Sequence, residues 1–473
     1  MIQRIEKQPI TENSFPFTSA KINADLEGHG YLEEEFFFSG TANVYGKDKD
    51  NRLSVLVPDA PYTNRFLVRR PKDTAKPSGR VVIEILNTTS FIDIDRSWVL
   101  YGEQVMRCGD TYIGLTSKPV TMKTLRKFDS KRYAPLNWDN PRKCRLPQGT
   151  FGNCYGSSSG TATEDGLFWD MLTDLSELCR KPNDFLGGMD VKYVYLTGWS
   201  QSGGYMVSYV NYFARDRYEK GLPRLFDGYY SMDPANNFAP ALNQEEMVRK
   251  DLGEYSTLFT DAPYYTVTTQ SLFEICGQDV HTPDSLTETL RYIVADIAGA
   301  THDNVYSMDT YLKDRTDEFA TSMYLPYTGY EPYPNDFPYQ LAYRAGLMHL
   351  YDWAERGILP PKTDRICTDE NGQFVTDEDG NVTGGWRLPE IEFPVCTYVS
   401  HGEPLKPAFS TLTYGCEIPF AAEVLKERYG SLEKYEALVW KSAAKAVSER
   451  LLMPQDEAYC VRHAVEKAKK YGL

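Results

Sequence analysis

Apolar residues in this chain come in short runs of strand length, separated by stretches with helical spacing. From Tyr31 to about Arg70 aromatic and polar positions alternate, as in Phe36 to Phe38 and Phe66 to Val68, which predicts antiparallel strands at one edge of a sheet. Val81-Val-Ile-Glu-Ile-Leu86 is a continuous apolar run of the kind a fully covered strand carries, and Thr111 to Leu115 is a shorter one. Between them, Ser97 to Met106 spaces its apolar residues for a crossover helix. Residues 118 to 163 are polar and rich in Pro, Gly and Ser, which reads as a long loop. Glu164 to Arg180 then puts Leu167, Phe168, Met171, Leu172, Leu175 and Leu178 on one helical face. Further strands are expected at Val191 to Thr197, Phe226 to Met232, Tyr264 to Thr269 and Arg291 to Ile297.

Strands alternating with helices imply an α/β fold with a mostly parallel, doubly wound sheet. Beyond His302 the pattern changes: residues 324 to 339 are dense in Tyr and Pro, and Leu341 to Arg356 is helical. Asn371-Gly372 and Asp379-Gly380 signal turns, and two or three helices close the chain. The expected organisation is N-terminal strands over 1–75, an α/β core over 76–310, and a C-terminal extension over 311–473 integral to the same domain.

The densest local signal is Gly198-Trp-Ser200-Gln-Ser-Gly203-Gly204, which joins a buried strand to a helix bearing Tyr205, Met206, Tyr209, Val210 and Phe213 at helical spacing. A serine lifted onto a sharp strand-to-helix turn leaves no room for side chains two residues before it or two to three after it. Gly198, Ser202 and Gly203 meet that demand around Ser200, so the run reads as a nucleophile elbow. The helix that starts there aims free N–H groups and the positive end of its dipole at the serine. Glycine and serine also make ordinary turns and caps, but the strand before and the helix after are the context the catalytic reading requires. Ser202 is a rival nucleophile; choosing it leaves Gly198 unexplained.

Composition narrows the partners. A net charge of −15 over 473 residues argues against nucleic acid and anionic membrane. Met1 to Phe17 lacks the apolar core of a signal peptide, and no stretch approaches the roughly 20 apolar residues that span a bilayer. A soluble, cytoplasmic protein is expected. Nine cysteines, widely spaced and odd in number, fit reduced thiols, and no Cys/His cluster points to a metal.

A serine hydroxyl needs a histidine to take its proton and a carboxylate to orient that histidine, and in this kind of fold the chain order is Ser, acid, His. Of six histidines, His29 precedes the elbow. His281 precedes the last strand, His401 lies in the extension, and His349 and His463 fall within helices. His302 follows the strand ending at Ile297, where the base belongs. The acid follows the preceding strand: Glu274 is ranked first, with Asp279 and Asp284 as alternatives. The oxyanion donors are expected to be the backbone N–H of Gln201 and a second at the Thr88 position in Asn87-Thr88-Thr89. Asn87 and Trp199, beside the serine, and Arg387, after two glycines, are candidate substrate contacts. A lone arginine also serves as a structural ion pair.

Several motifs together resemble a known family. Val81-Val-x-Glu84 with Leu86-Asn87, Lys131-Arg132-Tyr133, Gly198-x-Ser200-Gln-Ser202, Phe226-Asp227-Gly228, Ala298-Gly-Ala-Thr-His302 and Gly380-Asn381-x-x-Gly384-Gly385-x-Arg387-x-Pro389 are similar to those of a large bacterial family of alpha/beta-hydrolase-domain proteins. The resemblance covers roughly residues 80 to 470. It implies an alpha/beta-hydrolase fold in which the C-terminal third belongs to the same unit. Members usually carry glycines where this chain has Thr89-Ser90.

The expected function is therefore serine-dependent hydrolysis of a small-molecule carboxylic ester through an acyl-enzyme, without a cofactor. Acyl transfer or amide hydrolysis by the same three residues is the alternative, and a non-catalytic binding protein on the same fold is a third reading.

Overall fold

The computed structural model describes residues 1–20, 26–73, 77–142, 162–235, 242–243, 256–272, 283–310, 333–400 and 413–473. The alternating N-terminal region folds as two long antiparallel strands, β2 (Tyr31–Lys47) and β3 (Leu53–Pro71). Ahead of them β1 (Ile2–Lys7) pairs with β2. The sequence pattern does not foretell β1, because four of its six residues face solvent and it is recognised only by its partner.

The apolar runs form β4 (Arg80–Ile85), β5 (Thr111–Leu115), β6 (Tyr193–Trp199), β7 (Gly228–Met232) and β8 (Tyr264–Thr269). Nearly every residue in these five strands is buried, as a sheet covered on both faces requires. With β9 (Ser285–Thr287) and β10 (Leu290–Ile297), the strand order is β1-β2-β3-β5-β4-β6-β7-β8-β10-β9. β4 runs parallel to β5 and β6, and β6 parallel to β7, while β3 meets β5 antiparallel.

By internal packing the chain forms two compact units. One comprises Met1–Tyr265, Val280–Tyr292 and Thr310–Ser322; the other Thr266–Asp279, Ile293–Asp309 and Met323–Leu473. All ten strands have residues in the first unit.

In the first unit, helix α1 (Arg96–Cys108) packs on β5 and β6. Its start explains the odd carboxylate within the apolar run of β4. Glu84 accepts hydrogen bonds from the N–H groups of Ser97 and Trp98 at 2.7 and 3.1 Å and from the Tyr112 hydroxyl at 2.6 Å, so a strand residue caps the helix. Burial still pushes its carboxyl up to about 7. The expected loop from 118 contains helix α2 (Met122–Phe128), a departure from the sequence reading. Seven residues with three buried positions are too few to stand out as a periodic pattern. Helix α3 (Phe168–Cys179) carries the expected apolar face, and its Phe168 and Trp169 rings pack on Tyr205.

The second unit holds the helix Gln340–Arg356, the hairpin of β11 (Cys396–Val399) and β12 (Cys416–Pro419), and three closing helices, Ala422–Tyr429, Leu432–Ser448 and Glu457–Lys470. Its core contains an ionic cluster: the Lys467 ammonium contacts Glu390 and Glu417 at 2.8 Å each, with the Tyr398 hydroxyl and the Asp336 carbonyl at 3.0 Å. Among the described residues, no helix is long and apolar enough to cross a membrane, and no group of three His, Cys, Asp or Glu could hold a metal ion.

Candidate active site

Parallel pairing sets the level of the loops at the rim of the sheet. Ile85 lies opposite Leu115 and Glu84 opposite Thr197, so two residues beyond the Ile85 level the chain reaches Asn87, Ser117 and Ser200, each just past the end of its strand. Trp199 pairs with Met232, which puts Asp233 level with Ser200 on the other side.

Ser200 has φ 54° and ψ −118°, between the end of β6 and helix α4 (Gln201–Ser208). A non-glycine residue with such a backbone stores about 1–3 kcal/mol of strain, which its surroundings must hold in place. The end of β7 does so: Ser200 N–H donates to the Met232 carbonyl at 3.0 Å, and Ala235 N–H donates to the Ser200 carbonyl at 3.1 Å. The steric demand read from the sequence is met in full. A Cβ on Gly198 would stand 2.5 Å from the Ser202 carbonyl oxygen, and one on Gly203 2.6 Å from Cβ of Pro234. Ser202 itself lies in the first turn of α4 and is 1% exposed.

The loop after β4 braces this turn. Asn87 Nδ2 donates to the Trp199 carbonyl at 3.0 Å, and its Oδ1 accepts from Thr89 N–H at 2.8 Å. Thr88 Oγ1 donates to the Gln201 side-chain oxygen at 3.1 Å. Among the described residues, no acceptor is hydrogen-bonded to the Thr88 N–H. Gln201 opens α4, where a first-turn N–H has no intrahelical acceptor. Asn87, expected as a substrate contact, thus joins the two loops, and the Trp199 ring lies under the Arg96 guanidinium, 4.7 Å from its centroid.

Two buried arginines of β3 clamp the same loop from below. Arg65 pairs with Asp93 at 2.8 Å and with Glu35, and Arg69 pairs with Asp95 at 2.6 Å. Arg132 and the Tyr133 hydroxyl also reach Glu35, which makes the Lys131-Arg132-Tyr133 motif part of this support. Sequence reasoning missed the clamp, because Arg65 and Arg69 alternate with apolar residues in a strand and nothing local marks them as 0% exposed. Asp227 of the Phe226-Asp227-Gly228 motif accepts from Val194 N–H at 2.8 Å and from Arg180 at 2.7 Å, fixing the opposite end of β6. Asp233, also missed, is a fully buried carboxylate with φ 44°, one residue beyond β7.

In the second unit, His302 follows β10 by five residues and is 7% exposed. Its N–H donates to the Ser271 hydroxyl at 2.8 Å, and Gly299 N–H donates to the Gln270 side-chain oxygen at 3.0 Å. The loop after β8 and the loop after β10 are therefore tied together. Glu274, Asp279, His281 and His401 lie outside the described residues. Asp284 is exposed just ahead of β9, and His29 is exposed before β2. His349 Nε2 lies 2.7 Å from the Arg450 carbonyl in the helix Gln340–Arg356, and His463 Nδ1 lies 2.6 Å from Glu390 in the last helix. Arg387 donates to the carbonyls of Val382 and Ile391 and pairs with Glu392, a set of structural contacts that accounts for its guanidinium.

A strained serine between a strand and a helix, on the rim of a largely parallel sheet, fits the alpha/beta-hydrolase fold. A family model described as alpha/beta hydrolase domain matches residues 6–462, and the chain belongs to that family. No curated protein matches it. Among solved structures the chain is similar to an esterase of Pyrobaculum calidifontis, with 14% identity over 50% of this chain and 71% of that one and a TM-score of 0.27. It is similar also to a bacterial heroin esterase, with 12% identity over 58% and 77% and a TM-score of 0.30. A Rhizomucor miehei esterase shows 10% identity over 57% and 75% and the same TM-score of 0.30. Likeness at these TM-scores supports no statement about substrate.

Proposed function

We propose that this protein is a serine hydrolase that cleaves carboxylic esters of small molecules through an acyl-enzyme. In this reading Ser200 Oγ attacks the ester carbonyl carbon while His302 takes the hydroxyl proton. The tetrahedral oxyanion is held by the backbone N–H of Gln201 and of Thr88. Collapse breaks the bond to the leaving alkoxide, which receives the proton from His302, and water then repeats the sequence on the acyl-enzyme. Glu274 is assigned to orient His302.

The observation that carries the reading is the Ser200 backbone, φ 54° and ψ −118°, held by the end of β7 at the start of a helix. Strain of this kind persists where the surrounding structure fixes it, and it clusters at functional sites. The buried N–H of Thr88, level with the first turn of α4, supports a two-donor oxyanion site. Acyl transfer and amide hydrolysis use the same groups and differ in which nucleophile meets the acyl-enzyme.

Fluorophosphonate labelling tests the reading directly. Wild-type protein should label covalently, and Ser200→Ala should not; an unlabelled wild type, or a labelled Ser200→Ala, would sink it. The acid is identified by comparing Glu274→Gln, Asp279→Asn, Asp284→Asn and Asp233→Asn. Loss of the orienting carboxylate should lower kcat by about 10⁴-fold in one of the four.

A further inference from the structure

Lys118 lies three residues past the end of β5. By the register that sets Leu115 against Ile85 and Thr197 against Glu84, Lys118, Thr88 and Gln201 are each the third residue past the same pairing level, just beyond the ends of three adjacent strands. The Ser117 hydroxyl donates to the Leu86 carbonyl at 2.6 Å and the Thr88 hydroxyl to the Gln201 side chain at 3.1 Å, which ties the starts of these three connections together. Lys118 is 6% exposed. Its ammonium stands over the Tyr205 ring, 5.1 Å from the centroid, and Tyr205 lies one helical turn beyond Gln201 on α4.

No oxygen among the described residues makes a hydrogen bond or an ion pair with the Lys118 ammonium, and Asp165, in the turn Asp165–Leu167, is the carboxylate whose field reaches it. A cation–π contact restores only part of the hydration that an ammonium loses on burial. Burial accordingly pushes the Lys118 ammonium down to about 8, which leaves it mostly protonated at pH 7. A buried cation that no oxygen of the described residues accepts from, on the rim that carries the nucleophile, is a binding group for an anion.

We propose that Lys118 recognises a carboxylate on the substrate, so that the preferred esters are those of a short dicarboxylic acid or another ester with a carboxylate a few bonds from the scissile carbonyl. The proposal rests on the esterase reading above. A compact point charge on which Asp165 is the charged group acting among the described residues suits a monoanion, and the negative field of Asp165 disfavours a phosphate dianion.

The test compares mono-p-nitrophenyl adipate with p-nitrophenyl hexanoate, in which a methyl replaces the carboxylate at equal chain length. Wild type should favour the adipate ester by at least tenfold in kcat/KM, and Lys118→Met should bring that ratio to about one, with partial retention in Lys118→Arg. A wild type without preference, or a preference that survives in Lys118→Met, overturns the proposal, as do equal losses on both esters. If wild type turns over neither ester the esterase reading falls, and calorimetric binding of adipate then decides. Binding that weakens at least tenfold in Lys118→Met upholds the anion site, whereas equal or no binding rejects it.

Discussion

Lys118 and Lys467 are buried to nearly the same extent, 6% and 4% exposed, in opposite surroundings. Lys467 meets two carboxylates, a tyrosine hydroxyl and a backbone carbonyl. Burial alone would lower its affinity for a proton, and Glu390 and Glu417 overcome that and hold it well above the ordinary lysine range. At Lys118 burial wins, with only Asp165 opposing it. A buried charge that the fold surrounds with acceptors is structural, whereas Lys118 has no oxygen acceptor among the described residues.

Breaking the Lys467 cluster should have the largest effect on stability. Lys467→Met leaves Glu417 without its lysine counter-charge and Glu390 with the His463 imidazolium alone, and loss of one partner of such a cluster costs about 3–5 kcal/mol. The urea midpoint should fall accordingly; a change within about 0.5 kcal/mol would show the cluster to be relaxed in solution.

A smaller effect comes from the histidines of the same unit. Burial disfavours the charged form of His463, but Glu390 and Asp336 raise it to about 9. Its contribution should be fully present below the unfolded value of about 6.5 and disappear as pH rises to 9. His349 behaves oppositely: burial against Trp386 lowers it to about 4, so its contribution is present above about 6.5 and fades as pH falls to 4. Each of these two residues should contribute a change on the order of 2–3 kcal/mol, His349 below pH 6.5 and His463 above it, with Glu84 opposing the His349 arm because its raised carboxyl favours the folded state at lower pH. In His463→Gln the loss between pH 6.5 and 9 should shrink, and an unchanged alkaline arm would remove His463 as its source.

These two lysines also mark what could be read from the chain alone. β5 and β8 fall on the residues expected from their apolar runs, and the elbow is legible because its constraints are local: Gly198 and Gly203 are required by atoms within a few residues of Ser200 or packed directly on it. Ionic pairing is not local. Arg65 and Glu35 are 30 residues apart, and Lys467 and Glu390 are 77 apart. Charged residues of both kinds read as solvated positions until the fold brings their partners together, and Lys118 fell within a stretch that reads as loop. The β11–β12 hairpin was missed for a similar reason, since two four-residue strands separated by a long connection carry no turn signal of their own. Ser200, Gln201, Thr88 and His302 stand out in the sequence as candidates, while the Arg65 and Arg69 clamp that holds the Thr88 loop does not.

The smallest effect on stability, and the sharpest contrast with Lys467, is expected at Lys118. Lys118→Met replaces an ammonium that has no acceptor among the described residues with an apolar chain of similar length, so unfolding should be unchanged or harder by up to about 1–2 kcal/mol at pH 7. The sign with pH follows from the lowered value of about 8. Between 8 and about 10.4 the unfolded chain holds more protons on this residue than the folded one, so the wild type gains stability as pH rises through that window. Asp165 and the ring of Tyr205 are the groups that face it, and the Tyr205 hydroxyl stays protonated there because burial raises it well above its usual value. Any advantage of Lys118→Met should therefore be full below pH 8 and shrink toward pH 10. Urea midpoints of both proteins at pH 7 and 9.5 measure this, and a loss at Lys118→Met comparable to that at Lys467→Met would show that the ammonium holds the fold rather than a substrate.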